Sequence, residues 1–224
     1  MSNPEFGDSA TQEPMYQGQF GTFTITPADR RGVYVYRGAL TLGAIVFALG
    51  VTIILTQGIA FSALQEVTLC YGVLWLCLGV ALATIHIYLV LLHRVLQLFW
   101  AIGGLASLTL ALTQADPLAL YAYQHTPGLV AVGFTFAALT GIFFKEGFCF
   151  DRLETKLLTP LVPGLLLGHW FNLIPKPWEP RLLILWAIAF GVFSLRKWFQ
   201  DAASDIGDKS VFEYLKSQAT TRQP

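Results

Sequence analysis

Residues 38–55 read GALTLGAIVFALGVTIIL and contain no charged side chain. A helix needs about 20 apolar residues to cross the hydrocarbon core of a bilayer, and lipid offers backbone amides no partner, so such a run must be helical. The composition agrees: 54% of the 224 residues are hydrophobic and 12% are charged, against about 25% charged in soluble domains. The sequence therefore predicts an all-α, polytopic membrane helical bundle.

Charged and turn residues divide the apolar sequence into several candidate spans. Only His93 and Arg94 interrupt the apolar sequence between the second and third, so we predict a tight hairpin at these two residues. The last span is short, so we expect either that it extends toward Phe199 with Arg196 and Lys197 reaching the interface, or that the bilayer thins around it. The six predicted spans cover residues 38–55, 67–92, 96–113, 127–144, 157–173 and 182–195.

The distribution of Lys and Arg predicts the orientation of these spans. With the N-terminus inside, 12 of the 14 Lys and Arg residues fall on the inner side, and only Lys176 and Arg181 fall outside. The positive-inside rule therefore predicts that both termini are cytosolic. The expected division is a cytosolic segment at residues 1–37, a six-helix transmembrane domain at 38–199 and a cytosolic tail at 200–224.

The two terminal segments carry local structure signals. Phe23 and Ile25 alternate with threonines like a short strand. Thr26 is followed by Pro27 and, three residues on, by Asp29, which is the pattern of a capped helix start leading into the first span. Residues 210–213 read SVFE and have capping-box spacing, although we expect the tail to be loosely ordered.

Residues 143–156 read FFKEGFCFDRLETK and concentrate charge between the fourth and fifth spans. We predict a cytosolic loop that fixes topology, with Gly147 at a sharp turn and a capping box from Asp151 to Glu154 that starts the fifth span. A docking surface for a partner is the alternative, and a catalytic role for Glu146 or Glu154 is the least favoured. The charged residues of this predicted topology or partner loop are Lys145, Glu146, Asp151, Arg152, Glu154 and Lys156.

The predicted fifth span contains helix-breaking and small residues. Pro160 and Pro163 predict a kink or a local unwinding. Gly164 and Gly168 form a small-xxx-small face that favours close helix packing, within the chain first and between chains second.

Two histidines, His86 and His169, fall inside predicted spans. We expect hydrogen-bonded structural roles, and the alternative is a single-ligand contact to a pigment, haem or substrate. No metal or nucleophile motif accompanies them, so the sequence predicts no catalytic residue, metal site or cofactor, with chlorophyll or haem as a weaker alternative. The net charge of zero gives no basic field for nucleic acid.

Two stretches, YQGQFGTFTIT at residues 16–26 and KEGFCFDRLETKLLTP at residues 145–160, resemble an uncharacterised family of integral membrane proteins. That family carries a "domain of unknown function" label, is found in cyanobacteria and is related to plastid proteins of plants. The resemblance implies a bacterial plasma or thylakoid membrane and lends no catalytic residue.

Three functions are compatible with these observations. The first is a non-enzymatic scaffold or assembly factor for other membrane complexes, photosynthetic ones in the setting that the resemblance implies. The second is a small-solute transporter or channel through the Pro/Gly-broken fifth span near His169. The third is a pigment- or haem-binding protein using His86 or His169.

Overall fold

Most of the chain is helical in the computed structural model, which describes residues 15–211 and 214–215. A hairpin of two short strands comes first, and a short 3-10 helix, Lys176–Trp178, precedes α7. The elements are β1 Met15–Gln17, β2 Thr22–Thr24, α1 Pro27–Gln57, α2 Phe61–Thr84, α3 Val90–Thr113, α4 Leu118–Gln124, α5 Thr126–Phe150, α6 Leu153–Trp170, α7 Glu179–Trp198 and α8 Ala202–Ile206.

Five helical segments of the described chain are long and apolar enough to cross a membrane. They are Pro27–Gln57, Phe61–Thr84, Val90–Thr113, Thr126–Phe150 and Lys176–Trp198. The all-α, polytopic membrane class predicted from the sequence is therefore confirmed. The predicted fifth span corresponds to α6, which is shorter, at 18 residues, and carries Glu154 and Lys156 in its first turn.

The helices form a bundle around α1 and α5. Helix α1 packs against α2 and α7, while α5 packs against α3 and α6. In α5, 50% of the most apolar stretch is buried, against 17% in α3, so α5 is central and α3 is peripheral. Large apolar side chains fill the core between these helices, among them Leu40, Leu139, Phe143, Phe190 and Trp186.

The second span differs from the prediction. Helix α2 ends at Thr84, and residues 85–89 form a linker before α3 begins at Val90. Ile85 and Ile87 are both buried, so the linker alternates buried and less buried residues like an extended chain. The turn predicted at His93 and Arg94 is therefore wrong: both residues lie in α3, where Nε2 of His93 is 2.6 Å from the Leu82 carbonyl near the end of α2.

A reciprocal tryptophan pair joins α2 to α3. The rings of Trp75 and Trp100 stack with centroids 4.7 Å apart. Each indole N–H donates to the other residue's carbonyl, at 3.0 Å from Trp75 and 2.8 Å from Trp100. The Trp75 ring covers Gly104 and the Trp100 ring covers Gly79, so any side chain at either glycine would collide with an indole.

The predicted start of the first helix is confirmed. Thr26 is the N-cap of α1, Pro27 is in its first turn, and the side chains of Thr26 and Asp29 make both capping-box hydrogen bonds. Helix α1 then continues without a break past residue 37, where the sequence analysis places the boundary between the N-terminal segment and the transmembrane domain. The strand predicted around Phe23 is also present as β2, which pairs antiparallel with β1.

The described part of the C-terminal tail packs on the N-terminal hairpin rather than remaining loose. Asp208 accepts a hydrogen bond from the Gln19 amide at 2.6 Å, and Ser210 accepts one from the Phe20 amide at 3.0 Å. Ile25, Val33, Ala202 and Ile206 form a small apolar core beneath this contact. We call this assembly the terminal cap; Glu213 of the predicted tail capping box lies outside the described residues.

Candidate functional site

A cavity of about 510 Å³ lies among the helices at the end of the bundle opposite the terminal cap. Its wall comes from α1, α2, α4, α5, α6 and α7, and it is almost entirely apolar. The volume falls in the range of small-molecule sites, roughly 300–1,000 Å³. Representative wall residues are Val51, Leu74, Leu118, Val132, Leu166 and Leu183.

The short helix α4 forms one side of this cavity because it folds back on α5. A single residue, His125, separates the two helices and is both the C-cap of α4 and the N-cap of α5. Gly128 permits the close approach, since a Cβ there would lie 2.7 Å from the Ala122 Cα. Ala119 of α4 donates its amide to the Thr68 hydroxyl of α2 at 3.1 Å, which fixes the other edge of α4.

Aromatic rings form part of the cavity wall in the bundle interior. Phe47 and Phe136 contact Trp186 with ring centroids 4.5 Å and 4.9 Å away. Trp186 is only 1% exposed, and its indole N–H has no hydrogen-bond partner among the described residues. Buried tryptophans usually place this donor on an acceptor, so the Trp186 N–H stands out in an otherwise apolar wall.

Four side chains meet at the end of the bundle where α6 stops and α7 starts: Tyr123, His169, Lys176 and Glu179. We call them the clasp. Glu179 accepts hydrogen bonds from the Tyr123 hydroxyl at 3.2 Å and from Lys176 at 3.3 Å. His169 links Glu179 to Tyr123 a second time, with Nδ1 3.0 Å from the Glu179 carboxylate and Nε2 3.0 Å from the Tyr123 carbonyl. The clasp thus ties together α4, α6 and α7.

The clasp geometry requires a proton between His169 and Glu179. A carbonyl oxygen only accepts hydrogen bonds, so Nε2 of His169 must carry a hydrogen. The contact from Nδ1 to the carboxylate then needs a second hydrogen. Lys176 and Tyr123 also donate to Glu179, so this one carboxylate holds three clasp side chains.

The two candidate histidines lie at opposite ends of the bundle. His169 contributes to the cavity, whereas His86 lies in the linker between α2 and α3 and not within a helix as predicted. Burial lowers the pKa of His86, so it favours the neutral form. Within the described residues no group of three or more His, Cys, Asp or Glu side chains is placed to hold a metal ion.

The predicted charged loop is largely helical and partly buried. Helix α5 continues to Phe150, so Gly147 is not at a sharp turn; the left-handed residue is Asp151, with φ 48°. Glu146 is 1% exposed and binds Lys197 of α7, with its Oε2 2.6 Å from Nζ. Glu146 is therefore a side chain of the interior and not part of a surface that a partner would contact.

Glu146 belongs to a buried ionic network at the terminal-cap end of the bundle. Its Oε1 accepts from the Tyr36 hydroxyl at 2.9 Å and from Lys145 at 3.1 Å. Lys197 also pairs with Asp205 of α8, and Arg37 donates to that carboxylate at 2.6 Å. Three cations thus surround two carboxylates. The prediction that Lys197 reaches the interface is wrong, because these carboxylates hold it inside.

The capping box predicted at Asp151 and Glu154 is also wrong. The N-cap of α6 is Arg152, and no side chain caps the helix start. Glu154 instead pairs with Arg196 at 2.9 Å, Arg152 donates to Gln200 at 3.0 Å, and Lys156 pairs with Asp151 on the surface at 2.5 Å. The local spacing is compatible with a cap, but Asp151 pairs with Lys156 of α6 and Glu154 pairs with Arg196 of α7.

The proline and glycine residues of α6 do not form the predicted helix contact. Pro160 and Pro163 lie inside a continuous helix. Gly168 packs against Ile174 in the following loop, while a Cβ on Gly164 would meet nothing within 4 Å. Close helix packing in this chain uses other glycines, including Gly79, Gly103, Gly104 and Gly141.

Several residues of these sites were missed from the sequence. Glu179 and Tyr123 of the clasp, Trp186 of the cavity and Asp205 of the ionic network were not proposed as site residues. The sequence gives little indication of the role of Glu179, because an acidic residue three positions after Lys176 in an outer loop is usually a solvated surface charge. Asp205 looked like a tail residue, because nothing local indicates that it meets Arg37.

Comparison with known proteins identifies a family but no characterised relative. Residues 80–214 match the family model described as an uncharacterised integral membrane protein, DUF2301. Neither the curated proteins nor the solved structures gave a match. The matched region includes the clasp, Trp186 and the ionic residues Glu146, Lys197 and Asp205. Because the model covers more than half of the sequence, the chain belongs to the DUF2301 family of integral membrane proteins.

Proposed function

We propose that this membrane protein binds an apolar, membrane-dissolved small molecule in the cavity between α1, α2 and α4 to α7. The observation that carries the proposal is the cavity itself: about 510 Å³, with an apolar wall and its charged groups confined to the clasp. Pockets of this size and character are typical of small-molecule sites. A small-solute channel through this cavity is less favoured, because its described wall is apolar and includes Phe47, Phe136 and Trp186.

A matched pair of variants on α6 tests this proposal. Leu166 lines the cavity, while the next residue, Leu167, is 47% exposed and faces outward. A fatty alcohol bearing a photoreactive diazirine is added to the protein in liposomes and the labelled residues are mapped by mass spectrometry. In the wild type we expect the probe to label Leu74 and Val132, which line the cavity. This labelling should be lost in Leu166→Trp and kept in Leu167→Trp. Equal inward labelling in both variants, or labelling of lipid-facing residues alone, would refute the proposal.

The scaffold or assembly role is the second candidate. It is favoured by Gly164, which is exposed on α6 with open space where a side chain would lie, as a contact for another membrane helix would require. Partners retained in mild detergent are compared between Gly164→Leu and Gly191→Leu of α7, whose glycine is also open. The scaffold role is supported if the partners are lost in Gly164→Leu and kept in Gly191→Leu. Identical partners in both variants contradict it.

The membrane setting is part of the same proposal. Six spans with both termini cytosolic are supported by the positive-inside count and by α6, whose ends contact α7 near Arg196 and near Glu179. A cyanobacterial or thylakoid membrane rests on the sequence resemblance alone. The pigment or haem alternative at His169 is weakened because both ring nitrogens are engaged in hydrogen bonds; an absorption spectrum of the purified protein tests it.

A further inference from the structure

The tryptophans of the chain differ in how their indole N–H groups are satisfied. Trp75 and Trp100 donate to each other's carbonyl groups, and Trp198 donates to the Thr41 hydroxyl at 2.8 Å. Trp170 and Trp178 are exposed. Trp186 is nearly completely buried, and its N–H has no acceptor among the described residues. A buried donor without an acceptor loses its hydrogen bonds to water and gains no other, which costs free energy. Such groups are rare in folded proteins.

The other strongly polar groups of the cavity wall already have partners. The Thr68 hydroxyl donates to the Leu64 carbonyl at 2.8 Å. The Tyr71 hydroxyl lies 2.8 Å from the Ser107 hydroxyl and 2.7 Å from the Thr135 hydroxyl. The clasp residues bind one another. Among the described residues that line the cavity, Trp186 therefore carries the strong donor left unpaired, although its Nε1 atom is covered by neighbouring atoms; the Cys70 thiol is a weak donor.

These features restrict the chemistry of the occupant. The wall offers no unpaired cation for an anionic ligand, and a charge without a partner is costly in an apolar site. An indole N–H only donates, so it requires an acceptor. The rest of the wall is apolar and can contact a hydrocarbon chain. An uncharged molecule with an apolar body and an exposed oxygen acceptor meets all three conditions.

We propose, resting on the cavity-binding function, that the occupant is an uncharged lipid-soluble molecule with a carbonyl-type oxygen that accepts a hydrogen bond from Trp186. Quinones, ketones and esters with hydrocarbon chains share this chemistry. Because the Trp186 Nε1 atom is covered in the structure, the acceptor reaches it after a small shift of the ring or of its neighbours. Trp186 is thus a specificity-determining residue of the cavity.

A pair of probes separates the hydrogen bond from the apolar contact. Decylbenzoquinone carries two carbonyl groups on a planar six-membered ring with a decyl chain, and decylbenzene has a planar six-membered ring and the same chain without carbonyl groups. Binding of each is measured by the rise in unfolding temperature of the full-length protein in one detergent. We expect the quinone to bind about three- to ten-fold more tightly than decylbenzene, the effect of one neutral hydrogen bond.

Trp186→Phe keeps an aromatic ring and removes the donor. We expect this variant to bind decylbenzene like the wild type and to lose the preference for the quinone. Trp75→Phe, which removes a donor on α2 outside the cavity wall, should keep the preference. Ultraviolet resonance Raman spectra should show the hydrogen-bond-sensitive indole band shifting with the quinone in wild type and not in Trp186→Phe.

The outcomes distinguish this inference from the proposed function. If both probes bind equally to wild type, or if Trp186→Phe keeps the quinone preference, the hydrogen bond to Trp186 is refuted while the cavity function stands. If neither probe binds and Leu166→Trp behaves like wild type toward both, the cavity function fails and the inference fails with it. An internal water that satisfies Trp186 would give the first of these results.

Discussion

Lys197 and Glu146 form a buried ion pair, with Nζ 2.6 Å from Oε2 and each side chain 1% exposed. The pair joins the end of α7 to the last turns of α5. Asp205 binds the same lysine, so the pair also anchors α8 and the terminal cap to the bundle. Each ion is stable in the interior only because its partners are in place.

Removing the lysine should destabilise the fold strongly. We expect Lys197→Met to lower the free energy of unfolding by about 3–5 kcal/mol, because two carboxylates lose a buried cation. Thermal unfolding in one detergent measures it. Lys156→Met is the control, since Lys156 is 56% exposed in a surface pair with Asp151, and its cost should stay below about 1 kcal/mol. Similar losses in the two variants would contradict the assigned role of Lys197.

Adding a methyl group between α2 and α3 should also destabilise the bundle. A Cβ on Gly79 would lie 2.6 Å from the Trp100 ring, whereas Gly72 on the same helix has open space. We expect Gly79→Ala to cost about 1–3 kcal/mol through overpacking, and Gly72→Ala to be neutral or slightly stabilising. Unfolding temperatures of both variants give the comparison; a neutral Gly79→Ala would show that the tryptophan stack is not tightly packed.

Access to the cavity should depend on the clasp, because the clasp ties α4, α6 and α7 together at one end of the cavity. His169→Ala removes the link between the Glu179 carboxylate and the Tyr123 carbonyl, so the clasp should loosen. The measurement is the labelling of Cys70, which lines the cavity, by an apolar maleimide in a Cys149→Ser background.

A conservative variant of the clasp is the control. Glu179→Gln keeps an oxygen that accepts from Lys176 and Tyr123 and an amide that can bind His169, so Cys70 labelling in this variant should stay close to that of the wild type. His169→Ala should label faster than both at the same pH. Equal labelling of His169→Ala and the wild type would contradict the role assigned to the clasp.

The terminal cap should loosen in acid. Hydrogen bonds from Ser210 and from the Gln19 amide lower the pKa of Asp208 from its ordinary value. A carboxyl group whose folded pKa is lowered stabilises the fold above its unfolded pKa, and this contribution is lost as pH falls through the folded value, below about pH 4. The protection factor of the Gln19 amide, which is the exchange rate of an unstructured amide divided by that of Gln19 at the same pH, should therefore fall at low pH. Asp208→Asn should exchange faster at neutral pH and lose the acid dependence; an unchanged profile in this variant would refute the link.

Local sequence patterns predicted local structure well. The Thr26 to Asp29 capping box appears as expected, because its donors and acceptors lie within one helical turn. The membrane class followed from long uncharged runs, which leave few alternatives in lipid. The same reasoning failed for Asp151 and Glu154, whose spacing suits a cap but whose partners are elsewhere.

The sites depend on contacts that no local pattern specifies. Lys197 looked like an interfacial lysine, and only the fold brings it to Glu146 and Asp205. Trp186 is one tryptophan in an apolar run until the helices are assembled around it. The linker at residues 85–89 carries no Gly or Pro, so its break depends on burial of Ile85 and Ile87 in the assembled core.

Native mass spectrometry of the protein released from its own membrane shows whether the cavity holds a small molecule. The wild type and Leu167→Trp should each retain one uncharged small molecule after detergent and bulk lipid are removed, and Leu166→Trp should not. The cavity function would be refuted if the wild type carried no mass beyond that of the chain, or if Leu166→Trp retained the same molecule to the same extent.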